Sequence, residues 1–302
     1  MRISVIQSRK PADYDPSAPG EYNLDRCRSL AQEAMEEGFR LMRSAAAGGA
    51  DLIVTTEAFN ASILLADSRY DLAQVTESID GPIVRRLQAF ARESGIYVVS
   101  GLYLNRGGKV YNTALLLSRD GVILGTYEKV HLPAEERRFL SAGSEYKVYE
   151  TEFGTIAPLI CWDLQYPEAA REVALRGADL VVCPTQGWEN IYGLCRAYEN
   201  SFTIAAAMRA ECDGSIHPDC DPSCIVDNMG KVLAAASRNG VQVVTADVDI
   251  RKDPAPQYGS QQWTGLTSMR QTRLMQRRPE TYTTIASADP PLSKRYERPG
   301  GR

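Results

Sequence analysis

Residues 154–185 read GTIAPLICWDLQYPEAAREVALRGADLVVCPT, and the fold is decided in this stretch. An apolar run of strand length ends at Cys161, a helical pattern runs from Pro167 to Arg176, and a second apolar run spans Asp179 to Pro184. Two strands joined through a helix form a unit of an α/β fold.

The alternation extends in both directions. Upstream, DLIVTTEAFN (51–60) is a short apolar run that ends in a carboxylate and reads as a buried strand. Before it, apolar residues recur at three-to-four spacing from Leu24 to Ala47, with Asn23 placed to cap the helix and Gly48-Gly49 to stop it. Residues 2–7 read as a strand and the proline-bearing residues 9–22 as a loop. Between these blocks and residue 154, Pro82 to Glu93 reads as a helix, and Ile96 to Leu102, Tyr111 to Leu117 and Val122 to Lys129 read as strands. Downstream, Gly193 to Asn200 is helical in pattern, and strands follow at Phe202 to Ala207, Ser223 to Val226, Val232 to Ala236 and Val241 to Asp249. Hairpin-like strand pairs interspersed with helix-linked strands predict an α/β fold with mixed sheets covered by helices, not a purely parallel one.

A chain of 302 residues is long for one domain, yet a large mixed sheet absorbs that length, and no low-complexity linker or fixed repeat divides it. One domain over residues 1–285 is expected, followed by a polar, proline-rich extended tail over 286–302. Hydrophobic residues at 44% and charged residues at 24% permit an ordinary core. The net charge of -4 argues against a nucleic-acid surface, so small molecules are the expected partners. The N-terminus lacks a signal-peptide apolar core and no run is long enough to span a bilayer, which points to the cytoplasm and no membrane partner. Seven cysteines, an odd number, then read as reduced thiols.

Three reactive side chains stand at the ends of separate apolar runs: Glu57 after DLIVTT, Lys129 after VILGTYE and Cys161 after GTIAPLI. Strand ends are where a rigid scaffold brings distant residues into one cleft. Taken singly, each has an ordinary reading as a solvated charge or a small buried hydrophobe. A thiol, however, attacks as thiolate and needs a base or cation beside it, and Glu57 and Lys129 supply both. His131, two residues after Lys129, offers a competing Cys–His dyad that leaves Glu57 and Lys129 without a task. Cys212, His217, Cys220 and Cys224 lie close in sequence, but only the last cysteine pair approaches zinc-ligand spacing and Cys224 falls in a strand, so no metal site is assigned.

The segments TTEAFN (55–60), YEKVHLPAEERRFLSAG (127–143) and LICWDLQYPEAAR (159–171) resemble, in order and spacing, the three signature blocks of the nitrilase superfamily of carbon–nitrogen hydrolases. The likeness continues through LRGADLVVCPT, RAYENSF, SCIVDNMGKVLAAA, VVTADVD and RRPETY, to about Tyr282. It implies a four-layer αββα sandwich, a homodimer or higher homo-oligomer, no cofactor, and a catalytic set of Glu57, Lys129 and Cys161 with Glu136 as a second glutamate. It also implies thioester chemistry, with Lys129 and the Trp162 main-chain N–H holding the oxyanion. Asp163 after Cys161-Trp162 is similar to amidase and carbamoylase branches, which favours an amide or ureido substrate; a true nitrilase and a non-catalytic binding protein are the alternatives. Gln186 and Trp188 fall where the family contacts substrate. Met208-Arg209 replaces an asparagine the family usually carries, and Arg209 is a candidate partner for a substrate carboxylate.

Overall fold

The computed structural model describes residues 1–11, 24–60, 76–255 and 265–295. Asn23, most of the 9–22 loop and residues 296–302 of the expected tail lie outside that set. The chain divides into two compact units, Met1–Pro254 and Ala255–Arg302. In the first, the strands are β1 (Arg2–Gln7), β2 (Leu52–Val54), β3 (Tyr97–Arg106), β4 (Lys109–Leu117), β5 (Ile123–Glu128), β6 (Tyr149–Thr151), β7 (Gly154–Pro158), β8 (Leu180–Thr185), β9 (Thr203–Met208), β10 (Cys224–Val226), β11 (Val232–Ala235) and β12 (Gln242–Asp247). Its helices are α1 (Leu24–Ala47), α2 (Pro82–Ser94), α3 (Pro167–Leu175) and α4 (Asn190–Asn200).

The strands form two six-stranded sheets, ordered β12-β1-β2-β3-β4-β5 and β11-β10-β9-β8-β7-β6. In each, three central strands run parallel and the outer ones pair antiparallel, the mixed topology that the sequence pattern predicts. Strand alternation explains the layering. Ile6, Ile53, Val98, Leu115 and Leu117 point to one face and join Met35, Phe39 and Met42 of α1 and Val84, Leu87 and Ala91 of α2 in one buried cluster. Their neighbours Val5, Leu52, Val54, Val99 and Leu116 are equally buried and face the second sheet. On the far side, Ala169, Ala170 and Val173 of α3 and Tyr192 and Ala197 of α4 are buried. The product is helix, sheet, sheet, helix: the four-layer sandwich.

The elements differ from their sequence-predicted bounds mainly at turns. β3 and β4 run on to a hairpin at Gly107-Gly108, whose φ values of 61° and 80° are those of a tight primed turn. The pattern NRGGKV carries that signal. Tyr149–Thr151 is an additional edge strand, and α4 starts three residues before Gly193. In the second unit, Ser268 caps a short helix, α5 (Met269–Met275), by accepting from the Gln271 N–H at 3.1 Å. Among the described residues, no helix is long and apolar enough to cross a membrane.

Candidate active site

Three of the four residues picked from the sequence sit at the carboxyl ends of strands, Glu57 beyond β2, Lys129 directly after β5 and Cys161 beyond β7, and Glu136 lies on the 3-10 turn Glu136–Arg138 further along the loop from Lys129. The Lys129 Nζ donates to Glu57 Oε1 at 2.9 Å and to Glu136 Oε1 and Oε2 at 2.8 and 2.9 Å. One ammonium therefore bridges two carboxylates. Lys129 and Glu57 are fully buried. Burial alone would discharge such a lysine, but the carboxylate charges of Glu57 and then Glu136 act against it, and the Lys129 pKa is held well above its ordinary value. Glu136 is pushed up to about 7, first by burial and then by the nearby Glu57 charge, with Lys129 pulling the other way.

Cys161 has φ 45°, a left-handed conformation rarely taken by a non-glycine residue. The turn is secured by Asp163, whose main-chain N–H donates to the Ile160 carbonyl at 3.0 Å and whose Oδ2 accepts from the Ile160 N–H at 3.0 Å. The Asp163 carboxylate is fully buried and accepts three more bonds: Tyr127 Oη at 2.7 Å, His131 N–H at 2.9 Å and His131 Nδ1 at 3.1 Å. His131 also stacks on Tyr166, ring centres 3.8 Å apart. The Nδ1 nitrogen of the ring is thus engaged with Asp163. Asp163 in turn braces the nucleophile turn against the loop that carries Lys129.

The Cys161 thiol is raised to about 12 by burial and then by the Glu57 charge, against the opposing pull of Lys129 and hydrogen bonds from the Thr185 side chain and the Gln186 main chain. At neutral pH it therefore rests as a thiol, and proton removal must accompany attack. Glu57 is built for that: Oε1 also accepts from Asn112 Nδ2 at 2.6 Å and Oε2 accepts from the Gln186 N–H at 2.9 Å. The two sheets are tied together at this carboxylate.

Of the proposed substrate contacts, Trp162 is part-exposed, 38% of its surface being open. Gln186 contributes its main chain to Glu57. Trp188 has no exposed surface; its Nε1 donates to Asn190 Oδ1 at 2.9 Å and its ring packs edge-on to Tyr192. Its ring edge packs tightly against Gly193 of α4, a packing place within the fold. Arg209 is buried as well, and its Nη1 donates to the Glu57 and Ala58 carbonyls rather than standing free for a carboxylate. Cys212 and Cys220 are partly exposed, while the Cys224 thiol is buried at 3.7 Å from Asn190 Oδ1. Among the described residues, no group of three His, Cys, Asp or Glu side chains is placed to hold a metal ion.

Sequence reasoning missed Asn112 and Gly101. Asn112 is a fully buried amide in the largely buried strand KVYNTALLL, and a buried amide in a core strand calls for a partner. Gly101 passes beneath Glu57: a Cβ there would lie 2.8 Å from Glu57 Cα, from the Thr56 carbonyl oxygen and from Pro184 Cβ. Gly101→Ala is therefore expected to displace Glu57 and lower kcat by about 10- to 100-fold, with stability reduced by about 1–3 kcal/mol. Steady-state kinetics with a urea melt checks both; wild-type kcat in a folded variant would contradict the tight approach.

The carbon-nitrogen hydrolase family profile matches residues 3–252, and the chain belongs to that family. It is an enzyme of the class that hydrolyses carbon–nitrogen bonds other than peptide bonds. A probable nitrilase of Schizosaccharomyces pombe is 29% identical over 250 residues, covering 79% of this chain and 87% of that protein. The omega-amidase NIT2 of Xenopus tropicalis is 30% identical over 239 residues, covering 73% and 84% respectively. In fold, the chain is similar to the crystal structure of a carbon–nitrogen hydrolase from Helicobacter pylori, with a TM-score of 0.73, 20% identity, and coverage of 95% of this chain and 98% of that one.

Proposed function

We propose that the protein hydrolyses a non-peptide amide or N-carbamoyl bond through a thioester on Cys161. The observation that carries the reading is the buried Glu57–Lys129–Glu136 cluster, with one ammonium held between two carboxylates in electrostatic reach of Cys161. Glu57 takes the Cys161 proton as sulfur bonds to the carbonyl carbon. The oxyanion that forms is stabilised by the Lys129 ammonium and the Trp162 main-chain N–H. Glu57 then returns the proton to the departing nitrogen, the carbon–nitrogen bond breaks, and ammonia or an amine leaves the acyl group on sulfur. Glu57 next takes a proton from water, hydroxide adds to the thioester, and the free acid and the thiol are restored. Glu136 orients Lys129 and balances its charge.

The substrate arm is decided by ammonia and acid release from matched primary amides, ureido acids and nitriles. Turnover of amides or ureido acids is expected. Turnover confined to nitriles would contradict the amide reading, and inertness towards all three classes with an unreactive Cys161 would favour the non-catalytic alternative.

A thiol pushed to about 12 also makes a prediction about alkylation. Glu57→Gln is expected to slow iodoacetamide modification of Cys161 at pH 7 by about 100-fold, the weight of a general base. Exposed Cys195, read from its own peptide in the same sample, should be unaffected. Equal Cys161 rates in wild type and variant would show that no base assistance operates.

A further inference from the structure

We propose that Arg209 is a positioning residue, whose guanidinium holds the main-chain carbonyls of Glu57 and Ala58 and so sets the aim of the Glu57 carboxylate at Cys161. The proposal rests on the reading above that Glu57 moves the proton. Arg209 follows the last residue of β9, the apolar strand TIAAAM, and is only 4% exposed. A guanidinium removed from water is costly unless it is bonded. Here Nη1 donates to the Glu57 carbonyl at 2.9 Å and to the Ala58 carbonyl. Burial lowers the Arg209 pKa to about 10, with Tyr103 and Glu57 acting against the shift, so the group stays cationic at neutral pH.

The place it grips is a strained one. Ala58 has φ 49° and is one of three non-glycine residues with positive φ among the described residues; Cys161 is another. Such a conformation persists only when its surroundings over-determine it. From the first sheet, the Thr55 N–H donates to Val99 O and the Phe59 N–H to Gly101 O, both at 2.8 Å, which fixes the two ends of the turn but not the carbonyls between them. Arg209 fixes those from the second sheet.

The same residue is tied to the nucleophile. Its main-chain N–H donates to Thr185 O at 2.9 Å, Thr185 acts on the Cys161 thiol by lowering its pKa against the effect of burial, and the next N–H, that of Gln186, donates to Glu57 Oε2. Base and nucleophile supports therefore meet at the ends of β8 and β9. The Arg209 Nε is buried and has no partner among the described residues, a cost accepted where one nitrogen, Nη1, serves both carbonyls. Lysine can restore the cation, but its compact ammonium on a differently shaped stem reaches the position of Nη1 less well.

The test compares Arg209→Met, Arg209→Lys and Glu57→Gln with wild type. It reads kcat and KM on the amide or ureido acid that wild type turns over, iodoacetamide modification of Cys161, and the urea melt. Arg209→Met is expected to lose about 100-fold in kcat and Arg209→Lys about 10-fold, with KM held within about threefold and Cys161 alkylation slowed in parallel. A raised KM with wild-type kcat would overturn the proposal, because that pattern marks an anchor for substrate. Wild-type kcat and alkylation in either folded variant would overturn it too; should Arg209→Met not fold, Arg209→Lys alone decides. If Glu57→Gln is inactive while the Arg209 variants match wild type, only this proposal fails. If Glu57→Gln is as active as wild type, the reading of the site fails with it.

Discussion

Cys161→Ala is expected to lower kcat by roughly five to six orders of magnitude, the loss seen when a covalent nucleophile is removed from a site that otherwise stays assembled. The assembly should persist. Thr185, Gln186 and Lys129 remain, the Asp163 bonds that hold the turn do not involve the sulfur, and alanine meets the same backbone at φ 45° as cysteine does. The variant should therefore melt near wild type while releasing no ammonia, and circular dichroism beside an ammonia assay checks both. Substantial residual turnover would mean that another group attacks the substrate.

Lys129→Met carries the second large effect, and it acts twice. Removing an oxyanion donor costs about two to three orders of magnitude in kcat. The substitution also leaves Glu57 and Glu136 facing one another inside the protein without their shared cation, and breaking a buried ion pair from one side costs about 3–5 kcal/mol. Glu136, already pushed up to about 7, would shift further towards the neutral acid. The sign follows from the direction of that shift. A carboxyl whose folded pKa lies above its unfolded value favours folding below the unfolded pKa and loses that contribution as pH rises through the folded one. The variant is therefore expected to lose stability from about pH 5 to 8 more steeply than wild type, as read by urea melts across that range. A parallel pH dependence in the two proteins would contradict the charge cluster as described.

Most of the sandwich was legible because strand and helix periods differ and because glycine and proline mark their boundaries. The Met35-Phe39-Met42 stripe of α1 and the run LIV in β2 needed only their spacing. Glu57, Lys129 and Cys161 were legible for another reason: each stands in a distinctive local segment just beyond a strand, and Glu136 lies in the same segment as Lys129. Residues whose task is set by a partner far along the chain were not. Asn112 meets Glu57 across 55 positions and Arg209 reaches it across 152, distances that no local pattern encodes. Asp163 looked like a marker of substrate class beside the nucleophile. In the structure its buried carboxylate also faces Tyr127, His131 and Ile160 and braces the turn, a second task that the sequence alone does not show. Trp188 was open to either reading from sequence, and only the packing of α4 over it decides.

The central claim is that the acyl group passes through Cys161. Rapid acid quench during turnover of an amide or ureido acid, followed by intact-mass analysis and peptide mapping, tests it directly. The account predicts an added mass equal to the substrate minus its leaving ammonia or amine, located on the peptide that carries Cys161, formed and lost at rates that match turnover. Undiminished turnover by Cys161→Ala, or an adduct on any other residue, would contradict it.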